Sequence, residues 1–276
     1  MTFISGAVRK MRATLSDPVL YQWVAGEQTV ELNQYLGQSL SINFLGSIHC
    51  VHCRRLTKKS FNQGYCYPCF RDLAQCDTCI MKPEKCHFAE GTCREPQWGE
   101  ANCNIEHYVY LSHTSSVKVG ITRGTQIPTR WIDQGATQAR AIARVATRYQ
   151  SGLIEILLGQ HIGDKTAWQT MLKGNGEPID LAAKQAELAE LCAEGLASLQ
   201  QQFGLNAIHW IEESEDIAIN FPVLEWPAKI KAHNLDKTPE ISGTLLGIKG
   251  QYLMLDTGVI NIRKYGGYNL ELKVKG

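Results

Sequence analysis

Nine of the ten cysteines of this 276-residue chain fall between Cys50 and Cys103, and the tenth, Cys192, stands alone. This crowding constrains the fold more than any other feature, because residues 46–106 show little hydrophobic periodicity and offer no apolar stripe from which to build a core. Such a segment is fixed by disulfides or by metal–thiolate bonds. The stretch Met1 to Lys10 carries its charge after a short apolar run, the reverse of a secretory signal, so a reducing cytoplasmic setting is expected and the cysteines read as metal ligands. A membrane helix needs roughly 20 apolar residues. The apolar run from Leu153 is broken by Glu155 and ended by Gly159, so no membrane partner is expected.

The series Cys50-x2-Cys53-x12-Cys66-x2-Cys69 sets two thiolate pairs on two knuckle turns, a spacing at which four sulfurs converge on one tetrahedral Zn²⁺. Four protein ligands leave no open position, so this ion is expected to fold the segment and not to catalyse. The remaining five, Cys76, Cys79, Cys86, Cys93 and Cys103, with His87 and His107 nearby, offer more donors than one tetrahedral ion uses. Cys76 and Cys79 begin like a knuckle, but the later spacings complete no familiar ribbon. A second structural zinc and an iron–sulfur cluster both suit this group, and spacing leaves its ligand set open.

Net charge is +1 overall, yet residues 1–150 hold 17 Lys+Arg against 11 Asp+Glu, while residues 151–276 hold 11 against 16. A polyanion contact is therefore expected in the front half. Within the first knuckle loop Arg54, Arg55, Lys58 and Lys59 alternate with Phe61, Tyr65, Tyr67 and Phe70, a mixture suited to phosphate contact and base stacking. A solvated loop whose aromatics cover the metal is the plainer alternative. Arg140, Arg144 and Arg148 recur at four-residue spacing and share one face of a strand. With Arg123, Arg130 and Lys118 they form a second candidate track for a phosphate backbone.

The expected fold is α+β, in five units. Residues 1–45 read as a β meander, 46–106 as the zinc-ribbon segment, 107–175 as a ββαβα core, 176–225 as a helical segment and 226–276 as a small β-barrel-like unit. Ile4-Ser5-Gly6 is echoed by Ile241-Ser242-Gly243, so the two ends are either related small β units or partners in one barrel. Ser151 is a candidate cap for a helix through Glu155. Asp180 to Phe203 carries Leu181, Leu188, Cys192, Leu196 and Leu199 at helical spacing and ends at Gly204. Its acidic side, with Glu187, Glu190 and Glu194, is a candidate docking face for a protein partner.

From Tyr108 to about Trp168 the chain resembles the GIY-YIG nuclease domain. Tyr108-Val109-Tyr110 matches the first motif, Lys118-Val119-Gly120 the second, Arg130 the motif arginine and Glu155 the metal-binding glutamate. The whole chain, with the Gly91 to Gly99 stretch ahead of this unit, also resembles an uncharacterised bacterial family of unknown function. The nuclease resemblance implies an Arg and a Glu facing a scissile phosphate, a Mg²⁺ ion on Glu155, and a tyrosine assisting a water nucleophile. Two motif positions depart from it: Lys118 replaces a tyrosine, and Gln134 replaces the histidine four residues after the arginine. The expected function is nucleic-acid binding, RNA preferred over DNA, on a catalytically degenerate domain. The alternatives are a metal-dependent endonuclease using Tyr110, Lys118, Arg130 and Glu155, an iron–sulfur RNA-modifying enzyme, and a protein scaffold.

Overall fold

The computed structural model describes residues 2–162 and 167–274. Residue 1, residues 163–166 and residues 275–276, which fall within the units expected over 1–45, 107–175 and 226–276, lie outside the described residues. Helices and sheets are both present, as the α+β expectation requires, and among the described residues no helix is long and apolar enough to cross a membrane.

One seven-stranded sheet draws on both ends of the chain. Its path runs Thr2–Ala7, Tyr268–Val274, Ser39–His49, Glu240–Lys249, Tyr252–Leu255, Gly258–Asn261, all antiparallel, with Leu56–Thr57 added beside Ser39–His49. The alternation that selects strand is plain in Tyr268–Val274, where Tyr268, Leu270, Leu272 and Val274 are buried and the residues between are not. Register is set by a row of buried side chains crossing four strands: Ile4 faces Leu272, Leu272 faces Ile42, and Ile42 faces Ile241. A slip of one residue in any of these strands would turn its apolar set to the opposite face. The two Ile-Ser-Gly echoes thus supply the outer members of one row. Arg12–Thr14, Leu20–Ala25 and Gln28–Glu31 form a separate three-stranded meander, with Gly26 in the left-handed conformation at its tight turn.

The middle of the chain gives a second sheet in the order Ile208–Trp210, Gln138–Val145, His107–His113, Val117–Arg123. His107–His113 and Val117–Arg123 pair as a hairpin; Thr129–Asp133 follows as a short helix, then Gln138–Val145, then the helix Arg148–Gly159. That helix is capped by Thr147 and not by Ser151. Thr147 Oγ1 accepts from Gln150 N, Gln150 Oε1 accepts from Thr147 N, and Ser151 lies inside the first turn with its hydroxyl donated to Arg148 O. Asp180 caps the helix that begins at Leu181, as expected, accepting from Ala183 N. The helical run to Phe203 is divided at Cys192 into Leu181–Leu191 and Ala193–Phe203. Gly195 faces Leu157 so closely that a Cβ there would lie 2.6 Å from it, and the bend at Cys192 lets the second helix approach that closely.

The large sheet's core also takes in Tyr110, Trp131, Ile132, Ala136 and Ala139 from the middle of the chain, so the two sheets share buried residues. A second apolar cluster lies between the smaller sheet and its helices, around Val109, Ile142, Ile154 and Leu188.

Candidate metal centre and basic cleft

The first knuckle begins where the strand Ser39–His49 ends. Backbone bonds from Arg54 N to Cys50 O and from Cys50 N to Arg55 O close a turn that needs Arg54 at a φ of 64°, and Cys66 opens the short helix Tyr67–Asp72 with Pro68 in its first turn. Cys50, Cys53, Cys66 and Cys69 are thereby brought together with all sulfurs within 4.8 Å of one another, and Cys53 Sγ lies 3.7 Å from Cys66 Sγ. Four sulfurs at about 2.3 Å from a zinc stand about 3.8 Å apart, so this donor set fits one ion. The Cys53 thiol is lowered to about 6, chiefly by the backbone N–H of Arg55. Burial works against ionising Cys50, but the N–H groups of Cys53, Cys66 and His52 outweigh it and leave this thiol lowered as well. Backbone donors that favour thiolate are what a metal centre needs.

Beside this centre lies a cleft of about 490 Å³ whose charged lining is entirely cationic: Arg9, Lys10, Arg130 and Arg263. Tyr65, Asn62 and Gln63 of the knuckle loop form its wall. Asn62 and Gln63 hold φ of 42° and 63°, a region non-glycine residues enter only when their surroundings impose it. Arg263 Nε donates to Gln63 Oε1 at 2.7 Å, and burial holds the guanidinium below its usual pKa. Lys10 Nζ donates to Asp133 Oδ2 at 2.6 Å. Gln63 also lines a neighbouring groove of about 800 Å³ with Lys58, Lys59, Lys264 and the rings of Phe44 and Tyr268. Above the knuckle Phe61 meets Tyr67 edge-on at 5.6 Å and stacks on Phe70 at 5.7 Å, with Tyr67 56% exposed. Arg54 and Arg55 are exposed on the same loop.

Of the motif residues of the smaller sheet, Tyr110 is buried while Lys118, Arg130 and Glu155 are half-buried. Tyr110 is fully buried, its hydroxyl donates to Gln134 Oε1 at 2.8 Å, and burial pushes it up to about 12. Arg130 stands against Tyr110 on one side and faces the basic cleft on the other; Glu155 is close enough to act on Tyr110 electrostatically. Lys118 is half-buried on the strand Val117–Arg123.

The expected arginine stripe is dispersed. Arg140 is buried and bonds Gln185 and Asp216, exposed Arg144 pairs with Glu106 at 3.4 Å, and Arg123 bonds Asn102. The strand ends at Val145, so Arg148 belongs to the following helix and donates to Ile80 O at 2.6 Å. Arg9, Lys10, Arg263 and Lys264 carry no local sign of their role, since only the tertiary fold gathers them.

The remaining cysteines separate. Cys76 is buried near the first centre, beside Asn62 and Cys50, whereas Cys79, Cys86, Cys93 and Cys103 line one pocket, Cys79 and Cys103 buried and Cys86 and Cys93 half-buried. No curated protein and no solved structure matches this chain. Residues 37–270 match the family described as protein of unknown function (DUF2797), and the chain belongs to that family.

Proposed function

We propose that the chain is a zinc-containing nucleic-acid-binding protein that holds single-stranded RNA across the basic cleft and the neighbouring groove. The observation that carries this reading is the cationic lining of the cleft: Arg9, Lys10, Arg130 and Arg263 come from three distant parts of the chain and meet with no acidic side chain among the lining residues. Asp133 offsets Lys10, but Arg130 and Arg263 still repel one another, and a phosphate backbone relieves that repulsion while releasing its own counterions. Lys58, Lys59 and Lys264 continue the track past Gln63, and the Phe61, Tyr67 and Phe70 rings offer a surface for unpaired bases. Stacking on aromatics is how unpaired RNA is read, which favours it over duplex DNA. The zinc on Cys50, Cys53, Cys66 and Cys69 holds the loop that bears these groups.

Binding is favoured over cleavage. The resemblance to the GIY-YIG domain accounts for an arginine at 130 directed to phosphate, but buried Tyr110 is committed to Gln134, and an amide at 134 takes no proton from water.

The test is titration of labelled single-stranded RNA, single-stranded DNA and duplexes over a range of salt. Tight binding to single-stranded RNA is expected, with log K falling by about 0.7 per phosphate contact for each decade of salt. Lys58→Gln with Lys59→Gln, both at exposed positions, should lower that slope. Absence of binding at low salt overturns the reading.

A further inference from the structure

The fold divides the five cysteines outside the first centre into one and four. Cys79 belongs to the turn Thr78–Ile80, Cys86 caps the turn Pro83–Lys85, and Cys103 caps the helix Pro96–Asn102. Cys93 lies just before that helix, its thiol directed to Glu95 O at 3.6 Å. All four line one pocket walled by Phe88, Trp98 and Gly99.

We propose that Cys79, Cys86, Cys93 and Cys103 hold an iron–sulfur cluster of the four-iron type, with Cys76 excluded. The assignment rests first on spacing. In the first centre two sulfurs stand 3.7 Å apart, the edge expected around one zinc. Around Cys79 the donors that close to within 4.8 Å are Asp77, Cys79 and His87, not a cysteine quartet. Asp77 is already engaged by Arg94 at 2.6 Å, His87 Nε2 stands 3.5 Å from the same carboxylate, and the triad brings only one thiol. The four cysteines share their pocket with Asp77 and His87, and among the described residues no three of these thiols close to within 4.8 Å of one another, as the ligands of a single zinc would. A wider ring of thiolates suits a cluster, whose iron atoms stand between the sulfurs and the centre.

The surroundings point the same way. Gly99 has no side chain where one would intrude: a Cβ there would lie 2.8 Å from the Phe88 ring and 3.1 Å from Cys93 Sγ. Four thiolates on a cluster carry net negative charge, which needs a buried cation close by. Arg148 supplies it. Its backbone N donates to Cys103 O at 2.8 Å, its side chain lies near Cys79 and Cys103, and its Nε is buried with no hydrogen-bond partner among the described residues. The helix carrying Arg148 is pressed onto the cysteine segment at Gly152, where a Cβ would stand 2.5 Å from Glu84 N.

The nucleic-acid reading and this one fail separately, because metal content is measured without any nucleic acid. Protein made and purified without oxygen should contain zinc at the first centre together with about four iron and four acid-labile sulfide per chain, with broad visible absorption. Cys86→Ser and Cys103→Ser should lose the iron and sulfide while keeping the zinc, which reports that the first centre is still folded. Cys76→Ser should keep both. If the purified chain holds zinc alone, anaerobic incubation with ferrous iron and sulfide should restore iron and colour in the unaltered protein and not in Cys103→Ser. Two zinc ions with no iron, no uptake on incubation, or iron that depends on Cys76 and not on Cys86 or Cys103 would overturn the assignment.

Discussion

A Cβ on Gly120 would lie 2.6 Å from both Cζ and Oη of Tyr110, so the phenol occupies the space a side chain at 120 would need. Tyr110 is a strut between hairpin and helix: its ring meets Trp131 edge-on at 5.9 Å and its hydroxyl is held by Gln134. Gly120→Ala should therefore destabilise the chain by about 1–3 kcal/mol through overpacking. Urea denaturation tests this by a lowered midpoint at constant slope, and an unchanged midpoint would show that the ring yields without cost. The motif pattern singles out Tyr110, Gly120, Arg130 and Glu155 in the sequence, and the fold sets Gly120 and Arg130 against Tyr110. The burial of Tyr110 was not legible. Whether a tyrosine hydroxyl faces solvent or an amide depends on Trp131 and on the adjoining sheet, and periodicity carries no information about either. The same limit applies to Arg140, which shares parity with Arg144 but lies buried on Gln185 and Asp216.

Among the elements, the strand Glu240–Lys249 ends in a fully buried lysine. Lys249 Nζ donates to Gly174 O at 2.9 Å and to Asn175 Oδ1 at 3.3 Å, and stands 5.1 Å from the Trp226 ring centre and 5.3 Å from that of Phe221. Burial lowers it from 10.5 to about 8. Between those pH values the unfolded chain retains a proton that the folded chain has released, so this residue's contribution to stability rises with pH across the window. Relative to Lys249→Met, the native chain should gain up to about 3 kcal/mol from pH 8 to pH 10.5, measured as the difference in unfolding free energy. A difference that stays flat would mean the ammonium is solvated. The strand itself was readable from its apolar alternation and the Lys249-Gly250 turn. The aromatic cage was not, because Phe221 and Trp226 lie in a stretch with little regular structure. The helical run to Phe203 was readable in type and extent; its division at Cys192, beside Leu157 of another helix, was not.

At the scale of the whole molecule the first metal centre and the large sheet are locked together by two glycines. A Cβ on Gly266 would collide with the Gln63 carbonyl, and one on Gly267 with the His49 carbonyl, so the loop leading into Tyr268–Val274 lies directly on the knuckle. Gly267 N donates to Val8 O and Gly267 O accepts from His49 N, so backbone bonds fix this approach. Stripping the ion proposed for this four-cysteine site with a strong chelator should accordingly raise hydrogen exchange in Tyr268–Val274 by at least about tenfold, as well as in the knuckles. Exchange confined to residues 50–69 would show that sheet and ribbon are energetically separate. The cysteine spacing announced the centre but not its anchoring, which depends on residues some 200 positions further along the chain. Because Thr2–Ala7 pairs with Tyr268–Val274, the order of synthesis and the order of assembly are opposed. At about 5–20 residues per second the first strand spends roughly a quarter of a minute to a minute outside the ribosome before its partner is made. During that interval Ile4 lacks the Leu272 neighbour of its row, and the strand presents an unpaired edge open to wrong partners.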